Sequence, residues 1–117
     1  MNRDQLKTLL VRDKEYLRQL YESRDLINTK RILQNASDVK LNTLIRYIHF
    51  VSNGEIHIKK AEFDQLTQRH LNCIKRNFEK KSNVIKIINE ERPVKLRILI
   101  KLSAVLKSIL SPLFTLS

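Results

Sequence analysis

RPVKLRILIKLSAVLKSILSPLFTLS, the stretch at residues 92–117, decides which fold this chain can adopt. It holds five cations, no acid and fourteen apolar residues. A bilayer-spanning helix needs a longer uncharged run, and a solvated linker is far more polar. The stretch must therefore either complete a protein core or dock on a partner that is both apolar and negatively charged.

Helical periodicity predicts one amphipathic helix over residues 93–111, which Pro93 starts and Pro112 ends. A helical wheel gathers its apolar residues in one arc: Val94, Ile98, Leu99, Leu102, Val105, Leu106, Ile109 and Leu110. Such a helix can lie on an anionic membrane or against a partner. The candidate contacts are Leu99, Leu102, Leu106, Leu110, Lys101 and Lys107. The alternative is that the arc packs into the protein's own core, which is the commoner use of this spacing.

The rest of the chain also predicts helices joined by short polar turns. They are expected at residues 3–21, 24–35, 39–51, 60–80 and 83–90. The second helix is expected to pack on the core through its anchors Leu26, Ile27 and Leu33 and to be capped by Ser23. The third helix is expected to be capped by Ser37 or Asp38. Gly54 ends the third helix, and an extended segment near residues 55–59 tucks Ile56 and Ile58 into the core. The expected fold is mostly α, a compact bundle of four to six helices forming one domain over residues 1–117.

Net charge is +11, and it is concentrated in one half of the chain. Residues 1–58 are weakly basic, whereas residues 59–117 hold thirteen Lys and Arg against five Asp and Glu. That balance favours a polyanion, either nucleic acid or an anionic membrane surface. The predicted nucleic-acid contacts are Lys59, Lys60, Arg69, Lys75, Arg76, Lys80, Lys81 and Lys86, binding phosphates without sequence preference. The alternative is that the charge serves only solubility.

Motifs for catalysis, cofactors and metals are missing from the sequence. It has no Gly-rich phosphate loop, nucleophile elbow or paired-carboxylate signature, so a non-enzymatic protein without cofactor is expected. His70 and Cys73 are three residues apart, but tetrahedral zinc needs three or four ligands, and no metal is predicted. A helix-turn-helix is disfavoured because the connection around Gly54 is too long.

Three features of the sequence bear on where the protein is located. They are the single Cys73, the charges near the first residue and the lack of a long apolar run. We expect a nuclear or cytoplasmic protein, or one in a virion, that is neither secreted nor membrane-spanning.

Residues 44–114 resemble the small basic proteins of polinton (Maverick) elements and adintovirus-like viruses. The shared pattern is a helix, a Gly-x-Ile segment, a basic-His helix, a Lys/Ser turn and a hydrophobic tail with a Pro-Leu ending. It is carried by Ile45, Gly54, Ile56, Ile58, Phe63, Leu66, Arg69, His70, Lys80, Lys81, Ser82, Leu110, Pro112 and Leu113. Where that group usually has Gly-Gly, this chain has residues 90–93, Glu-Glu-Arg-Pro. The resemblance implies a virus- or transposon-derived protein made alongside capsid and packaging proteins.

Three functions stay open on the sequence alone. The first is nonspecific nucleic-acid binding, with genome packaging as its setting. The second is membrane activity through the cationic C-terminal helix. The third is a helical module for protein–protein interaction, as a homo-oligomer or a viral structural protein.

Overall fold

A computed structural model of the chain describes residues 3–54, 58–65 and 92–115. Of these residues 82% are helical, and the three ranges contain no strand. The helices are α1 (Arg3–Arg12), α2 (Lys14–Glu22), α3 (Leu26–Asn35), α4 (Asp38–Ser52), α5 (Lys60–Gln65), α6 (Arg92–Lys101) and α7 (Leu106–Phe114). The mostly α class is confirmed. The described ranges alone hold seven helices, more than the predicted four to six, because two predicted helices are each divided.

The first division is at Asp13, where a single helix over residues 3–21 was predicted. Asp13 is only 6% exposed, and its carboxylate accepts hydrogen bonds from Arg12 Nη2 at 3.1 Å and from Thr43 Oγ1 of α4 at 2.5 Å. Backbone bonds from Asp13 N to Leu9 O and from Leu17 N to Asp13 O keep the chain coiled, so α1 and α2 meet at a bend. A buried carboxylate must be paired and hydrogen-bonded. Asp13, a polar residue within the predicted helix 3–21, is therefore a buried contact to α4.

Helix α3 begins later than predicted, and a different residue caps it. The Asp25 carboxylate accepts a hydrogen bond from Asn28 N at 2.7 Å, as an N-cap does. Ser23 instead ends α2, where its hydroxyl donates to Leu20 O. Leu26 and Ile27, the predicted anchors, are 50% and 74% exposed, whereas Leu33 is fully buried as expected. Two of the three anchors were wrong, because Leu26 and Ile27 lie in the first turn of α3, which is exposed at these positions.

Helix α4 follows the sequence pattern closely. Ser37 is its N-cap, and the Ser37 hydroxyl accepts a hydrogen bond from Lys40 N. Gly54 ends it with φ of +68°, a left-handed conformation that glycine adopts without steric cost. Beyond it, residues 55–57 lie outside the described ranges, and Ile58 is buried as predicted.

The second division falls inside the predicted helix 93–111. Helix α6 ends at Lys101, a turn occupies residues 102–105, and α7 begins at Leu106. Ser103 is buried, and its hydroxyl donates to Ile100 O at 2.7 Å, so the side chain takes an acceptor that a continuing helix would use. Pro112 lies inside α7, which continues to Phe114, so the predicted stop at Pro112 was wrong.

These helices share one apolar core that the C-terminal stretch completes. Helix α7 packs against α2 and α5, while α6 packs against α3 and α4. The Tyr47 hydroxyl of α4 donates to Ile109 O at 3.0 Å, and burial raises the pKa of Tyr47 to about 12. The ring of Phe114 stacks on Tyr21 and meets Phe63 edge-on. The stretch therefore closes the core from two sides.

Arg92 joins the start of α6 to the corner between α3 and α4. Its Nη2 donates to Ala36 O at 2.9 Å and to Gln34 O at 3.3 Å, carbonyls at the end of α3. Its Nε lies 2.7 Å from Asp38 Oδ1, an ion pair rather than an aligned hydrogen bond. The last carbonyls of a helix lack helical partners and favour a cation. The first cation of the stretch thus has a structural role.

Candidate functional site

The predicted membrane or partner contacts divide into core and surface residues. Leu99, Leu106 and Leu110 are each fully buried, and Leu102 is partly buried against the core. Lys101 and Lys107 are exposed. The apolar members of this set hold the protein together, so they are not available to a membrane while α6 and α7 stay packed.

The outer face of α6 is not the one that a single helical wheel predicted. Leu96, Leu99 and Ile100 face the core, whereas Val94 and Ile98 are 43% and 44% exposed. The wheel placed Val94 and Ile98 with the leucines because it assumed one phase through residue 111. The turn at residues 102–105 interrupts the helix. The side of α6 that faces the core is therefore not in line with the side of α7 that faces the core. The predicted arc was wrong for α6.

Two acidic residues of α5 form ion pairs with cations of the N-terminal helices and of α5 itself. Glu62 of α5 is paired with Arg3 Nη2 at 3.1 Å and with Lys7 Nζ at 2.5 Å. The hydrogen bond from Lys7 lowers the pKa of Glu62, and the Arg3 charge acts in the same direction.

Asp64, also on α5, is paired with Lys60 Nζ at 2.8 Å and with Lys14 Nζ at 3.1 Å. Hydrogen bonds from Lys60 and then Lys14 lower the pKa of Asp64. The two carboxylates thus pair with four cations where α5 meets the N-terminal helices.

The predicted nucleic-acid contacts reach the described residues at only two positions. Lys59 is exposed and forms no ion pair within the described ranges, whereas Lys60 is bound to Asp64. The other six lie outside the described residues: Arg69, Lys75, Arg76, Lys80, Lys81 and Lys86.

Four exposed cations lie on and beside α3 and α6, and the sequence reasoning had named only Lys101 among them, as a membrane or partner contact. Arg24 and Lys30 lie just before and on α3, and Arg97 and Lys101 are one helical turn apart on α6. None of the four forms an ion pair with a carboxylate in the described part of the chain. Helices α3 and α6 pack against each other, so the four cations are carried by neighbouring segments of the fold. We call the four residues the α3–α6 surface.

The cations of this surface that lie in residues 1–58 did not stand out in the sequence, because acids in the same half of the chain offset their charge. Residues 1–58 contain ten cations and seven acids, so the half looked nearly neutral. The acids that compensate cations are positioned by tertiary contacts such as Arg3 with Glu62, fifty-nine residues apart. A charge count by halves cannot detect that.

Lys107 occupies a different setting, in an open cleft of about 480 Å³ between α2 and α7. The cleft is lined by Tyr21, Glu22, Lys107, Ser108 and Ser111. A carboxylate and an ammonium share its wall, so the cleft lacks the single-sign charge of the α3–α6 surface.

Neither a metal cluster nor a spanning helix occurs in the described ranges. No three His, Cys, Asp or Glu side chains there are grouped as metal ligands. His70 and Cys73, from which no metal site was predicted, lie outside those ranges. No described helix has the length and apolarity needed to cross a bilayer.

Comparison of the chain with protein-family models, with curated proteins and with solved structures finds no match.

Proposed function

We propose that this chain is a small non-enzymatic helical protein that binds nucleic acid nonspecifically through phosphate contacts. The observation that carries the proposal is the unequal distribution of ion pairs. Four cations at the α5 end are paired with Glu62 or Asp64, whereas Arg24, Lys30, Arg97 and Lys101 lack carboxylate partners among the described residues. Uncompensated cations raise the local concentration of a polyanion and release its counterions on binding.

The α3–α6 surface sets the expected salt dependence. Each phosphate neutralised on duplex DNA contributes about −0.9 to the slope of log affinity against log salt. Four contacts therefore give a slope of about −3.6, or roughly a 150-fold loss of affinity between 50 and 200 mM salt. Contacts from Lys59 and from cations outside the described ranges would make the slope steeper.

Fluorescence anisotropy with a labelled duplex, measured across that salt range, tests the proposal. The double variant Arg97→Gln/Lys101→Gln removes two cations of the α3–α6 surface. The matched control Arg3→Gln/Lys60→Gln removes the same two residue types from ion pairs with Glu62 and Asp64. We expect the first variant to reduce the magnitude of the slope by about 1.8 and the control to change it little.

Two results would contradict the proposal. Wild-type affinity that is absent at low salt, or unchanged as salt rises, would rule out phosphate binding. Equal losses in the two variants would show that binding follows net charge and would remove the α3–α6 surface as the site.

A second candidate, binding to an anionic membrane surface, is favoured by the outer face of α6. Val94 and Ile98 are exposed beside Arg97 and Lys101 on α6, so this face offers both apolar groups and cations to lipid. Its test is binding to vesicles of anionic lipid by Val94→Ser/Ile98→Ser, with Leu26→Ser/Ile27→Ser as the control with two other exposed apolar residues. Equal binding by both variants and wild type would exclude this face.

Origin, assembly and location remain predictions. A viral or transposon origin, with genome packaging as the setting, follows from the resemblance of residues 44–114. A homo-oligomer and a nuclear, cytoplasmic or virion location are compatible with the proposal and are not required by it.

A further inference from the structure

A cavity of about 230 Å³ lies between α2, α3 and α4, away from the ion pairs of α5. Its wall is formed by Tyr16, Gln19, Arg31, Ile32, Asn35, Ala36 and Lys40. Two of these side chains are cations, two are amides, and no carboxylate lines the cavity. Its charge is therefore of one sign, unlike that of the cleft beside Lys107.

Tyr16 contributes its ring to this wall rather than its hydroxyl. The residue is only 5% exposed, and its hydroxyl has neither a hydrogen-bond partner in the described structure nor contact with solvent. A ligand in the cavity therefore meets the ring, over which the Lys40 ammonium lies. Burial, and secondarily the charge of Asp13, raises the pKa of Tyr16, so its hydroxyl stays protonated and adds no negative charge beside the cavity.

The two cations of the cavity are unpaired and partly held in place. Neither Arg31 nor Lys40 forms an ion pair with a carboxylate in the described ranges. The Lys40 ammonium lies 5.3 Å from the centroid of the Tyr16 ring, a cation–π distance that keeps the stem along the wall. The guanidinium of Arg31 has the planar fork that matches phosphate oxygens. Together they supply two positive charges to one small space.

Size and charge narrow the ligand class. A volume of 230 Å³ equals the share of roughly seven to eight liquid waters, which is more than a phosphate group needs and less than a drug-sized ligand occupies. Two cations balance a dianion, and Ile32 and Ala36 offer apolar surface to an attached group.

We propose that this cavity binds a phosphomonoester: one phosphate group between Arg31 and Lys40, with a sugar-sized body against Ile32 and Ala36. The ester could be a free sugar phosphate or the 5′-phosphate end of a nucleic acid strand, and both offer the same chemistry. This site is separate from the α3–α6 surface and does not depend on nonspecific nucleic-acid binding.

Isothermal titration calorimetry of the full chain with ribose 5-phosphate is the direct experiment, with ribose and inorganic phosphate as comparison ligands. We expect ribose 5-phosphate to bind more tightly than inorganic phosphate and ribose not to bind. Arg31→Gln and Lys40→Gln should each weaken binding about tenfold or more, since each loses a charged hydrogen bond. Arg24→Gln and Lys30→Gln are the matched controls outside the cavity and should stay within about twofold of wild type.

Tyr16→Phe removes a hydroxyl that has no partner in the described structure and no contact with solvent. It should raise the melting temperature of the free chain and leave ribose 5-phosphate binding within about twofold of wild type. The proposal would be overturned by ribose binding as tightly as its phosphate, by inorganic phosphate binding equally well, or by Arg31→Gln behaving like Arg24→Gln.

The source of the ester is decided by short single strands with and without a 5′-phosphate, measured at 200 mM salt. A preference for the phosphorylated strand that Arg31→Gln abolishes assigns the site to strand ends. No preference, with ribose 5-phosphate still bound, assigns it to free phosphate esters. The controls Arg24→Gln and Lys30→Gln should weaken duplex binding alone, so failure of the cavity and failure of the α3–α6 surface give different results.

Discussion

Truncating a leucine of the C-terminal stretch should reveal how far this stretch stabilises the fold. Leu106 and Leu110 of α7 are both fully buried, in the core that α7 shares with α2 and α5. A leucine-to-alanine change in a closed core loses the transfer free energy of the removed carbons and leaves a cavity. Leu26→Ala is the matched control, because Leu26 has the same side chain and is 50% exposed.

The expected magnitude follows from that difference in burial. Leu106→Ala and Leu110→Ala should each lower the free energy of unfolding by about 2–5 kcal/mol, whereas Leu26→Ala should change it by less than about 1 kcal/mol. A small domain has a total stability of about 5–15 kcal/mol, so one core variant removes a large part of it.

Urea denaturation followed by circular dichroism at 222 nm measures these free energies. The core variants should unfold at clearly lower urea concentrations with unchanged slope, since the surface exposed on unfolding is nearly the same. Losses below about 1 kcal/mol for both core variants, or equal losses for Leu26→Ala, would refute the assignment of α7 to the core.

The burial of these leucines also limits how the folded chain could contact a membrane. Four leucines of the stretch are fully buried: Leu99, Leu106, Leu110 and Leu113. Exposing them would cost about 1.5–3 kcal/mol each, or about 6–12 kcal/mol together. That sum is comparable with the whole stability of a small domain. A membrane contact through α6 and α7 in the folded chain would therefore have to use apolar residues that are already exposed, such as Val94 and Ile98.

Three further variants test contacts between distant parts of the chain. Arg92→Gln should lower the free energy of unfolding by about 1–2 kcal/mol by thermal melting, because it removes a half-exposed cation bonded to the carbonyls that end α3. Glu62→Gln should cost less than about 1 kcal/mol at pH 7, and the difference from wild type should vanish as pH falls below the ordinary carboxyl pKa of 4.5. The native pKa of Glu62 is lowered, so its stabilisation exists above the unfolded pKa and is lost on acidification; a difference that persists at pH 3 would contradict this reasoning. Thr43→Val should cost about 1–3 kcal/mol because it removes a donor to the buried carboxylate of Asp13. Thr8→Val, whose hydroxyl bonds only a backbone carbonyl of its own helix, should cost less, and equal losses would show that the carboxylate contact is unimportant.

Local signals predicted the helix ends that depend on neighbouring residues. Ser37 and Gly54 bound α4 as expected, because a cap and a left-handed residue act within one turn. Ile58 was also placed correctly in the core. The same local reasoning failed for the N-cap of α3, where Ser23 was predicted but Asp25 caps the helix, while the buried Ser23 hydroxyl donates to Leu20 O at the end of α2.

The candidate sites depended much more on contacts between distant residues. Arg31 and Lys40 are nine positions apart and on different helices, and nothing in their spacing predicts a shared cavity with Tyr16. Likewise, a list of lysines and arginines does not show that Lys60 is paired with Asp64 while Lys101 is exposed and unpaired among the described residues.

By itself, the sequence determined that this chain is basic and mostly helical, and that residues 92–117 must bury their apolar side chains or cover them with a partner. Composition and periodicity suffice for that, because helix formation and amphipathicity are set within a few turns. Only the tertiary structure decided that the stretch is two helices closing the core, since the turn at Ser103 changes the phase that a single wheel assumes. It also decided which cations stay uncompensated, because ion pairs form between residues that folding brings together from distant parts of the chain.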